Sequence, residues 1–303
     1  MFSSQDRLSK AYKQAHRISF DNTSKFILFS DCHRGDASFA DDFANNRNIY
    51  QHALKHYFDN NFTYVELGDG DELWENLFFK DIFEANKSIF LLIKKFYDSN
   101  NLQMIYGNHD MVYRKPLTVK KNYSEYFDIK EGKKVALMPN LKFHEGIVLE
   151  NSLTKQEIFL THGHQADFMN YVGWKFNRFF VRVLWKPLQI WGIKDPTSPA
   201  KNYTELLKVE RRIKKWIADN GNLITIVGHT HRPHFPKPLA NELNYFNDGS
   251  CVHPRSISGI EICEGKIALI KWVIDSKEDG TLQVVKEYVE NQANLADYKS
   301  ITI

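Results

Sequence analysis

The chain has 303 residues, of which 43% are hydrophobic and 25% charged, a composition typical of a globular protein that buries a sizeable core. Forty basic residues against 37 acidic ones leave a net charge of +3, so we expect no nucleic-acid partner. Three cysteines are too few for a disulfide framework, and no apolar run of about 18 residues predicts a membrane span. The first 22 residues contain no apolar signal segment, and we therefore expect a cytoplasmic protein.

The first half of the chain alternates apolar runs with amphipathic segments. The apolar runs predict strands at 26–29, 63–67 and 102–106. Between them, the residues at about 41–60 and 81–98 have the apolar spacing of helices. Polar residues follow each of these strands directly. The carboxyl ends of strands in an open α/β sheet form the edge where ligands bind, so we expect a site there.

The second half of the chain begins with residues 112–140, which are rich in Lys and Tyr and predict a loop-dominated segment over the site. Further predictions, in chain order, are paired strands at 141–150 and 157–160, a helical insert at about 168–195, a helix at 203–220, and strands at 223–227, 244–246, 257–263, 267–274 and 282–288. No repeat divides the chain. We predict one domain, residues 1–303, with the insert as a cap.

Five segments that follow predicted strands carry residues able to bind a metal ion. They are Asp31 with His33, Asp69, Asn108 with His109, His162, and His229 with His231. A turn explains a single Asp-x-His better than a metal site does, but five such segments in one chain favour the metal site. Two cations about 3.5–4 Å apart need a bridging carboxylate and neutral ligands, and this set supplies both.

The five segments, in this order, resemble the motifs of the calcineurin-like metallophosphoesterases. The resemblance covers residues 26–231 and implies a four-layer α/β/β/α sandwich. It also implies two metal sites that share Asp69. By this resemblance one metal is bound by Asp31, His33, Asp69 and His231, and the other by Asp69, Asn108, His162 and His229.

The resemblance gives His109 a catalytic role, either stabilising the phosphate or protonating the leaving group, and Asp110 would orient its ring. The implied cofactors are two divalent cations that neutralise phosphate oxygens and make a water molecule more acidic. Mixed His, Asp and Asn ligands favour Mn²⁺, and Fe or Zn also suits them. Arg34 is a candidate phosphate clamp or a capping residue. His164 is a candidate substrate contact, with metal ligation as the alternative.

The insert interleaves aromatic residues and cations between about residues 174 and 193. As one helix it would carry a stripe of four cations beside a broad apolar surface, formed by Lys175, Arg178, Arg182 and Lys186. Such a helix is typical of contact with a lipid interface, which would place the protein peripherally at the inner face of a membrane. A buried cap helix or a dimer interface explains the same pattern.

The residues His162 to Asp167 and the Trp-rich insert resemble the bacterial branch that contains UDP-2,3-diacylglucosamine pyrophosphohydrolase. His164 departs from that branch, which usually has Asp there. We therefore predict a phosphoesterase or pyrophosphatase whose substrate is a phosphorylated small molecule or is nucleotide- or lipid-linked. The alternatives are a phosphoprotein phosphatase with the same core and a binding module without catalytic activity.

Overall fold

The structure is a computed structural model that describes residues 3–182, 203–238 and 242–299, without the side chains of Lys175 and Tyr203. Its strands, in chain order, are β1 (His16–Phe20), β2 (Lys25–Phe29), β3 (Thr63–Leu67), β4 (Leu102–Ile105), β5 (Glu125–Asp128), β6 (Lys133–Ala136), β7 (Phe143–His144), β8 (Gly146–Asn151), β9 (Glu157–Thr161), β10 (Ile224–Val227), β11 (Tyr245–Asn247), β12 (Ser256–Cys263), β13 (Lys266–Ser276), β14 (Leu282–Tyr288) and β15 (Ala293–Asn294).

The helices of the described residues are α1 (Ser4–Lys13), α2 (Arg47–Asp59), α3 (Phe79–Ala85), α4 (Lys87–Asp98), α5 (Pro116–Tyr123), α6 (Phe168–Tyr171), α7 (Trp174–Phe180) and α8 (Tyr203–Asp219). Short 3₁₀ segments lie at Asp42–Asn45, Met111–Arg114, His164–Ala166 and Leu295–Asp297. Within the described ranges no helix is both long and apolar enough to cross a membrane.

The strands form two large sheets and one hairpin. The larger sheet has the order β14-β13-β12-β2-β3-β4-β7, with β15 paired to β13. In it β2, β3 and β4 run parallel, so their carboxyl ends meet at one edge. The smaller sheet has the order β1-β8-β9-β10-β11, in which β9, β10 and β11 run parallel.

The two large sheets pack against each other, and helices cover their outer faces. Phe26 and Leu28 of β2 belong to the apolar layer between the sheets, whereas Ile27 and Phe29 face the helices that cover the larger sheet. Because β2 is buried on both faces, its sequence is a continuous apolar run rather than an alternating one. Helices α1 and α8 cover the smaller sheet, where Trp216 packs. This arrangement is the predicted α/β/β/α sandwich.

Most of the predicted strands and helices are confirmed, with four differences. The strand predicted at 141–150 is divided, because β7 pairs with β4 in the larger sheet and β8 pairs with β9 in the smaller sheet. The helix predicted at 81–98 is divided at Asn86, whose side chain donates to the carbonyls of Gly35 and Ile82. Residues 112–140 are not loop-dominated, because they form α5 and the β5–β6 hairpin. The N-terminal segment forms α1 and β1, which we did not predict. A capping box between Ser3 and Asp6 begins α1.

The predicted insert lies partly within the described residues. It begins as the short helices α6 and α7, and its remainder from 183 to 195 lies outside them. The predicted cation stripe is therefore described at Arg178 and Arg182 only. Arg182 donates to the backbone carbonyls of Leu73, Trp74 and Asn76, so this cation of the stripe binds the protein's own backbone.

Candidate metal centre

Two loops bring the first predicted ligands together. The loops that follow β2 and β3 run side by side, because Asp31 N donates to Gly68 O (3.0 Å) and His33 N donates to Asp69 O (2.9 Å). These backbone bonds continue the parallel pairing of the two strands beyond the sheet. Asp31, His33 and Asp69 consequently lie next to one another.

The smaller sheet brings the remaining histidines to the same place. His162 follows β9 and His229 follows β10, and Gly228 N donates to His162 O at 3.1 Å. Three groups of side chains result, each with ligand atoms within 4.8 Å of one another: Asp31, His33 and His231; His33, Asp69 and His109; and Asp69, His162 and His229. The first and third groups correspond to the two predicted metal sites.

The closest contacts among these groups join imidazole nitrogens to carboxylate oxygens. His231 Nε2 lies 2.9 Å from Asp31 Oδ1, and His162 Nε2 lies 3.1 Å from Asp69 Oδ2. His33 Nε2 lies 3.7 Å from Asp31 Oδ1 and 3.8 Å from Asp69 Oδ2. The side chain of Asp69 therefore faces both halves of the cluster, as a bridging carboxylate must.

Hydrogen bonds at the far ring nitrogens set the tautomers of two histidines. His162 Nδ1 lies 3.0 Å from the carbonyl oxygen of Leu67, so it must be the protonated nitrogen. His33 Nδ1 lies 2.8 Å from a carboxylate oxygen of Glu72. When either ring is neutral, its free lone pair is therefore at Nε2, directed into the cluster. Such support at the far nitrogen is typical of metal-binding histidines.

Several ligand atoms at the centre are buried without a hydrogen bond. They are Asp31 Oδ1, Asn108 Oδ1, His162 Nε2 and His229 Nε2. Asp31 Oδ1 and His162 Nε2 have other predicted ligands, His231 and Asp69, as their close neighbours. Because buried polar atoms nearly always have hydrogen-bond partners in folded proteins, a cluster of ligand atoms that face mainly one another indicates a missing partner. The set consists of oxygen and imidazole nitrogen donors, which suits a divalent cation.

The electrostatic field of the centre favours positive charge. Burial acts to raise the pKa of Asp31 and Asp69, but the neighbouring histidines hold both well below the ordinary value near 3.8. Burial acts to lower the pKa of His162, yet Asp69 and Asp31 raise it to about 9. The two carboxylates are therefore ionised and attract cations.

Five of the predicted ligands have backbone conformations in the left-handed region. They are Asp31 (φ 49°), His33 (φ 47°), Asp69 (φ 52°), His229 (φ 66°) and His231 (φ 55°). Residues with side chains rarely adopt positive φ, and such strain is concentrated at functional sites. The surrounding hydrogen bonds hold these residues in the conformations that direct their side chains to the centre.

Glu72, rather than Asp110, contacts the ring of His109. Oxygens of Glu72 lie 2.8 Å from Nδ1 of His109 and from Nδ1 of His33. Asp110 instead accepts from Gly107 N (2.6 Å) and Gly70 N (2.9 Å). The predicted role of Asp110 is thus wrong, because both its oxygens hold backbone loops. The ring of His109 also stacks on Trp74, with centroids 4.1 Å apart.

Arg34 lies beneath the centre and does not reach its surface. Its side chain is fully buried, where it pairs with Glu66 at 2.5 Å and Asp71 at 2.9 Å. Because these carboxylates occupy its donors, the predicted phosphate contact is wrong. This pairing leaves no local sequence signal, since the partners lie 32 and 37 residues away.

His164 and Asp167 lie close to the centre at the start of the insert. His164 belongs to none of the three groups and is fully buried, and its ring stacks on Tyr171 at 5.6 Å. This position does not support its predicted substrate contact. Asp167, which we did not predict, lies 3.5 Å from His229 Nε2. Burial acts to raise the pKa of Asp167, but His229 lowers it to about 2.

A cavity of about 580 Å³ lies beside the segment that follows Glu72, and none of the predicted metal ligands lines it. Leu73 and Asn76 line it, and Trp74 between them stacks on His109. Its basic lining residues are Lys80, Arg114, Lys115, Lys121, Arg178 and Arg182, against Glu84 and Glu125 as the acidic ones. Aromatic side chains, among them Phe78 and Trp174, complete the wall. The cavity is therefore both apolar and basic.

Comparison with known proteins agrees with this geometry. Residues 24–233 match the family model described as calcineurin-like phosphoesterase. The match covers more than half of the chain, and the chain belongs to the calcineurin-like phosphoesterase family. No curated protein sequence matches it significantly.

Solved structures also show similarity to the chain. A crystal structure of Chaetomium thermophilum Vps29 has 11% sequence identity and a TM-score of 0.38, and covers 90% of this chain and 98% of that chain. Chaetomium thermophilum Vps29 complexed with the RaPID-derived cyclic peptide RT-D3 has 13% identity and a TM-score of 0.36. The similarity covers 88% of this chain and 96% of that Vps29 chain.

Proposed function

We propose that the chain is a hydrolase that uses two divalent metal ions to cleave a phosphate ester or pyrophosphate bond. The observation that carries this proposal is the set of buried ligand atoms without hydrogen bonds around Asp69. A binding module that had lost catalysis would have no need to keep such atoms unsatisfied. Family membership supports the same reaction class.

The residues fit two cations that share Asp69. Asp31, His33 and His231 would complete one site. Asn108, His162 and His229 would complete the other. We propose Mn²⁺ as the cation, because carboxylate, amide and imidazole ligands together suit a cation between the hard and soft classes.

Bound cations would stabilise negative charge on phosphate oxygens and make a water molecule more acidic. The chain itself supplies a proton donor, because the ring of His109 lies at the edge of the cluster. Glu72 accepts from its Nδ1 and so directs Nε2 away from the carboxylate. We propose that Nε2 carries the proton for the leaving group.

The cavity supports a substrate that is both anionic and partly apolar. Its lining residues Leu73 and Asn76 flank Trp74, whose ring stacks on His109, and we propose that the substrate extends from the centre towards it. Six basic residues against two acidic ones favour an anionic group, and Phe78 is 61% exposed beside them. A nucleotide-linked or lipid-linked phosphate or pyrophosphate has this combination of charge and apolar surface.

We also propose that the insert contacts a lipid surface. Phe176 and Phe179 on α7 are 62% and 60% exposed, and Met169 on α6 is 51% exposed. Exposed aromatic residues beside cations are typical of interfacial helices. Sedimentation with anionic liposomes at low salt tests this contact, and we expect binding that Phe176→Ser with Phe179→Ser weakens. Absence of binding by the unaltered protein would contradict it.

The hydrolase proposal is tested with metal-free protein to which Mn²⁺ is added. We would measure turnover of p-nitrophenyl phosphate, bis-p-nitrophenyl phosphate, UDP-sugars, acylated UDP-sugars and a phosphopeptide. We expect Mn²⁺-dependent hydrolysis, with acylated UDP-sugars preferred to unacylated ones. Preference for the phosphopeptide would instead support a phosphoprotein phosphatase.

Two matched histidine variants distinguish loss of the metal site from general damage to the protein. His162→Gln should abolish turnover, whereas His253→Gln, at an exposed histidine outside the centre, should not change it. Retention of bound metal without turnover of any of these substrates would contradict the hydrolase proposal.

A further inference from the structure

A chain of three buried side chains lies directly behind the metal centre. Ser30 Oγ lies 2.5 Å from Asp31 Oδ2 and 2.7 Å from Asp248 Oδ1. All three residues are fully buried. Ser30 and Asp248 lie 218 residues apart in the sequence and belong to the ends of different strands. The serine hydroxyl therefore joins two carboxyl groups away from solvent.

The number of hydrogens in this chain determines its protonation. A serine hydroxyl has one hydrogen, and an ionised carboxylate can only accept. With both carboxyl groups ionised, one of the two short oxygen contacts would hold no proton. One carboxyl group must therefore be protonated. Asp31 has to be ionised to bind a metal, so the additional proton belongs to Asp248.

We propose that Asp248 is a neutral carboxylic acid that donates to Ser30, which in turn donates to the metal ligand Asp31. In this direction, Asp248 Oδ1–H donates to Ser30 Oγ and Ser30 Oγ–H donates to Asp31 Oδ2. Asp248 is a positioning residue, since it acts on the centre through Ser30. This inference rests on the proposed function for the metal-binding role of Asp31.

One further observation agrees with a neutral Asp248. Its second oxygen, Oδ2, is buried without a hydrogen bond, which costs far less for a neutral carboxyl group than for an ionised one.

The hydrogen-bond chain explains how Asp31 presents only one oxygen to the cluster. Its Oδ2 accepts from Ser30 and from His229 N (2.8 Å), whereas Oδ1 has no hydrogen bond and lies near His231. Two bonds to one oxygen fix the rotation of the carboxylate. The other oxygen is thereby held in the direction of the metal.

The backbone around Asp248 is built to hold this arrangement. Asp248 N donates to Val227 O at 3.0 Å, and Cys251 N donates to Asp31 O at 3.2 Å. Gly228 packs against the side chains of Ser30 and Asp31, since a Cβ at Gly228 would lie 2.3 Å from Ser30 Oγ and 2.6 Å from Asp31 Oδ2. The segment at 247–251 thus joins the loops that follow β2 and β10.

Mn²⁺ affinity, measured by titration calorimetry, tests the positioning role. Loss of a group that supports a metal ligand costs about 10–100-fold in affinity, and we expect that loss for Ser30→Ala and Asp248→Ala. Asp248→Asn keeps a neutral donor and should bind Mn²⁺ more tightly than either. Ser88→Ala, at an exposed serine on α4 outside the centre, is the control and should match the unaltered protein.

Equal affinities for Asp248→Asn and Asp248→Ala, or an unaltered affinity for Ser30→Ala, would overturn the positioning role. Thermal unfolding of each variant shows whether it is folded. If the unaltered protein bound no Mn²⁺, the proposed function would fail instead.

Infrared difference spectroscopy tests the protonation state without metal. The spectrum of the metal-free protein minus that of Asp248→Asn should contain the carbonyl band of a protonated carboxylic acid at neutral pH. Carboxylate bands in its place would overturn the proposal whatever the metal affinity.

Discussion

Two buried clusters of charge lie at the ends of β2 and β3, and they differ in one respect. In the first, the guanidinium of Arg34 pairs with both oxygens of Glu66 and with Asp71. Asp71 in turn accepts from the hydroxyls of Tyr113 (2.7 Å) and Tyr123 (2.6 Å). In the metal centre above it, by contrast, ligand atoms are buried without hydrogen bonds.

This contrast distinguishes a cluster that stabilises the fold from a cluster that binds a ligand. Both clusters contain buried acids close in sequence, and composition alone does not tell them apart. The Arg34 cluster is complete in itself, so its expected role is to hold the loops. The metal centre is incomplete without a bound ligand, and its expected role is therefore to bind one.

The largest effect should come from removing the shared carboxylate. We expect Asp69→Asn to lower kcat/KM for p-nitrophenyl phosphate on the order of 10⁴-fold, the scale seen when one member of a catalytic set is lost. Asn can still accept from His109 N, but the variant loses the ion pair with His162, so the free energy of unfolding of the metal-free protein should fall as well. Full activity in this variant would exclude Asp69 as the bridge.

Replacing Arg34 should lower the stability of the protein. Arg34→Met leaves two buried carboxylates unpaired, and we expect a loss of about 3–5 kcal/mol in the free energy of unfolding. Urea denaturation of the metal-free protein measures it. Lys94→Met, which breaks the partly exposed pair with Asp98, is the control and should cost no more than about 1 kcal/mol. Similar losses in the two variants would remove the distinction between the clusters.

Glu72 connects a predicted ligand with the predicted proton donor. Glu72→Gln can accept from only one of the two Nδ1–H groups of His33 and His109 at its single carbonyl oxygen, so we expect a loss of about 10–100-fold in Mn²⁺ affinity. Calorimetric titration measures it, with the exposed Glu84→Gln as control. An affinity equal to that of the control would show that Glu72 does not support His33.

The smallest effect concerns a histidine outside both clusters. His144 of β7 stacks on His16 of β1 at 4.6 Å, and burial, His16 and Lys142 lower its pKa from the ordinary 6.5 to about 4. The unfolded chain therefore binds this proton more readily than the folded one. We expect His144 to make the protein less stable as the pH falls from about 6.5 towards 4.

His144→Gln tests this pH dependence. In metal-free protein, the free energy of unfolding of the variant should fall less steeply over that range than that of the unaltered protein. His253→Gln, at an exposed histidine, should leave the slope unchanged. A steeper fall in His144→Gln would contradict the lowered pKa.

The sequence predicted the strands and the residues that follow them, because both leave local signals. A strand buried on two faces is a continuous apolar run, and the ligands follow such runs directly, as Asp31 follows β2. The second sheet was predicted from the resemblance of the five segments, in their order, to a known family whose fold has two packed sheets.

Pairings between distant residues could not be predicted in this way. Arg34 was a candidate phosphate clamp or capping residue, and its pairing with Glu66 and Asp71 left no local signal because these residues come close only in the folded chain. The family resemblance implied that Asp110 orients His109, whereas in the structure Glu72 contacts the ring from another loop. The helix α1 is different, since its capping box at Ser3 and Asp6 was a readable signal.

The central claim is that the chain binds two cations which share Asp69. Native mass spectrometry of protein reconstituted with Mn²⁺ tests it most directly, because it counts the ions bound to each folded chain. We predict two ions for the unaltered protein, and fewer for Asp69→Asn at the same Mn²⁺ concentration. No bound ion in the unaltered protein, or two ions held equally well by Asp69→Asn, would contradict the account.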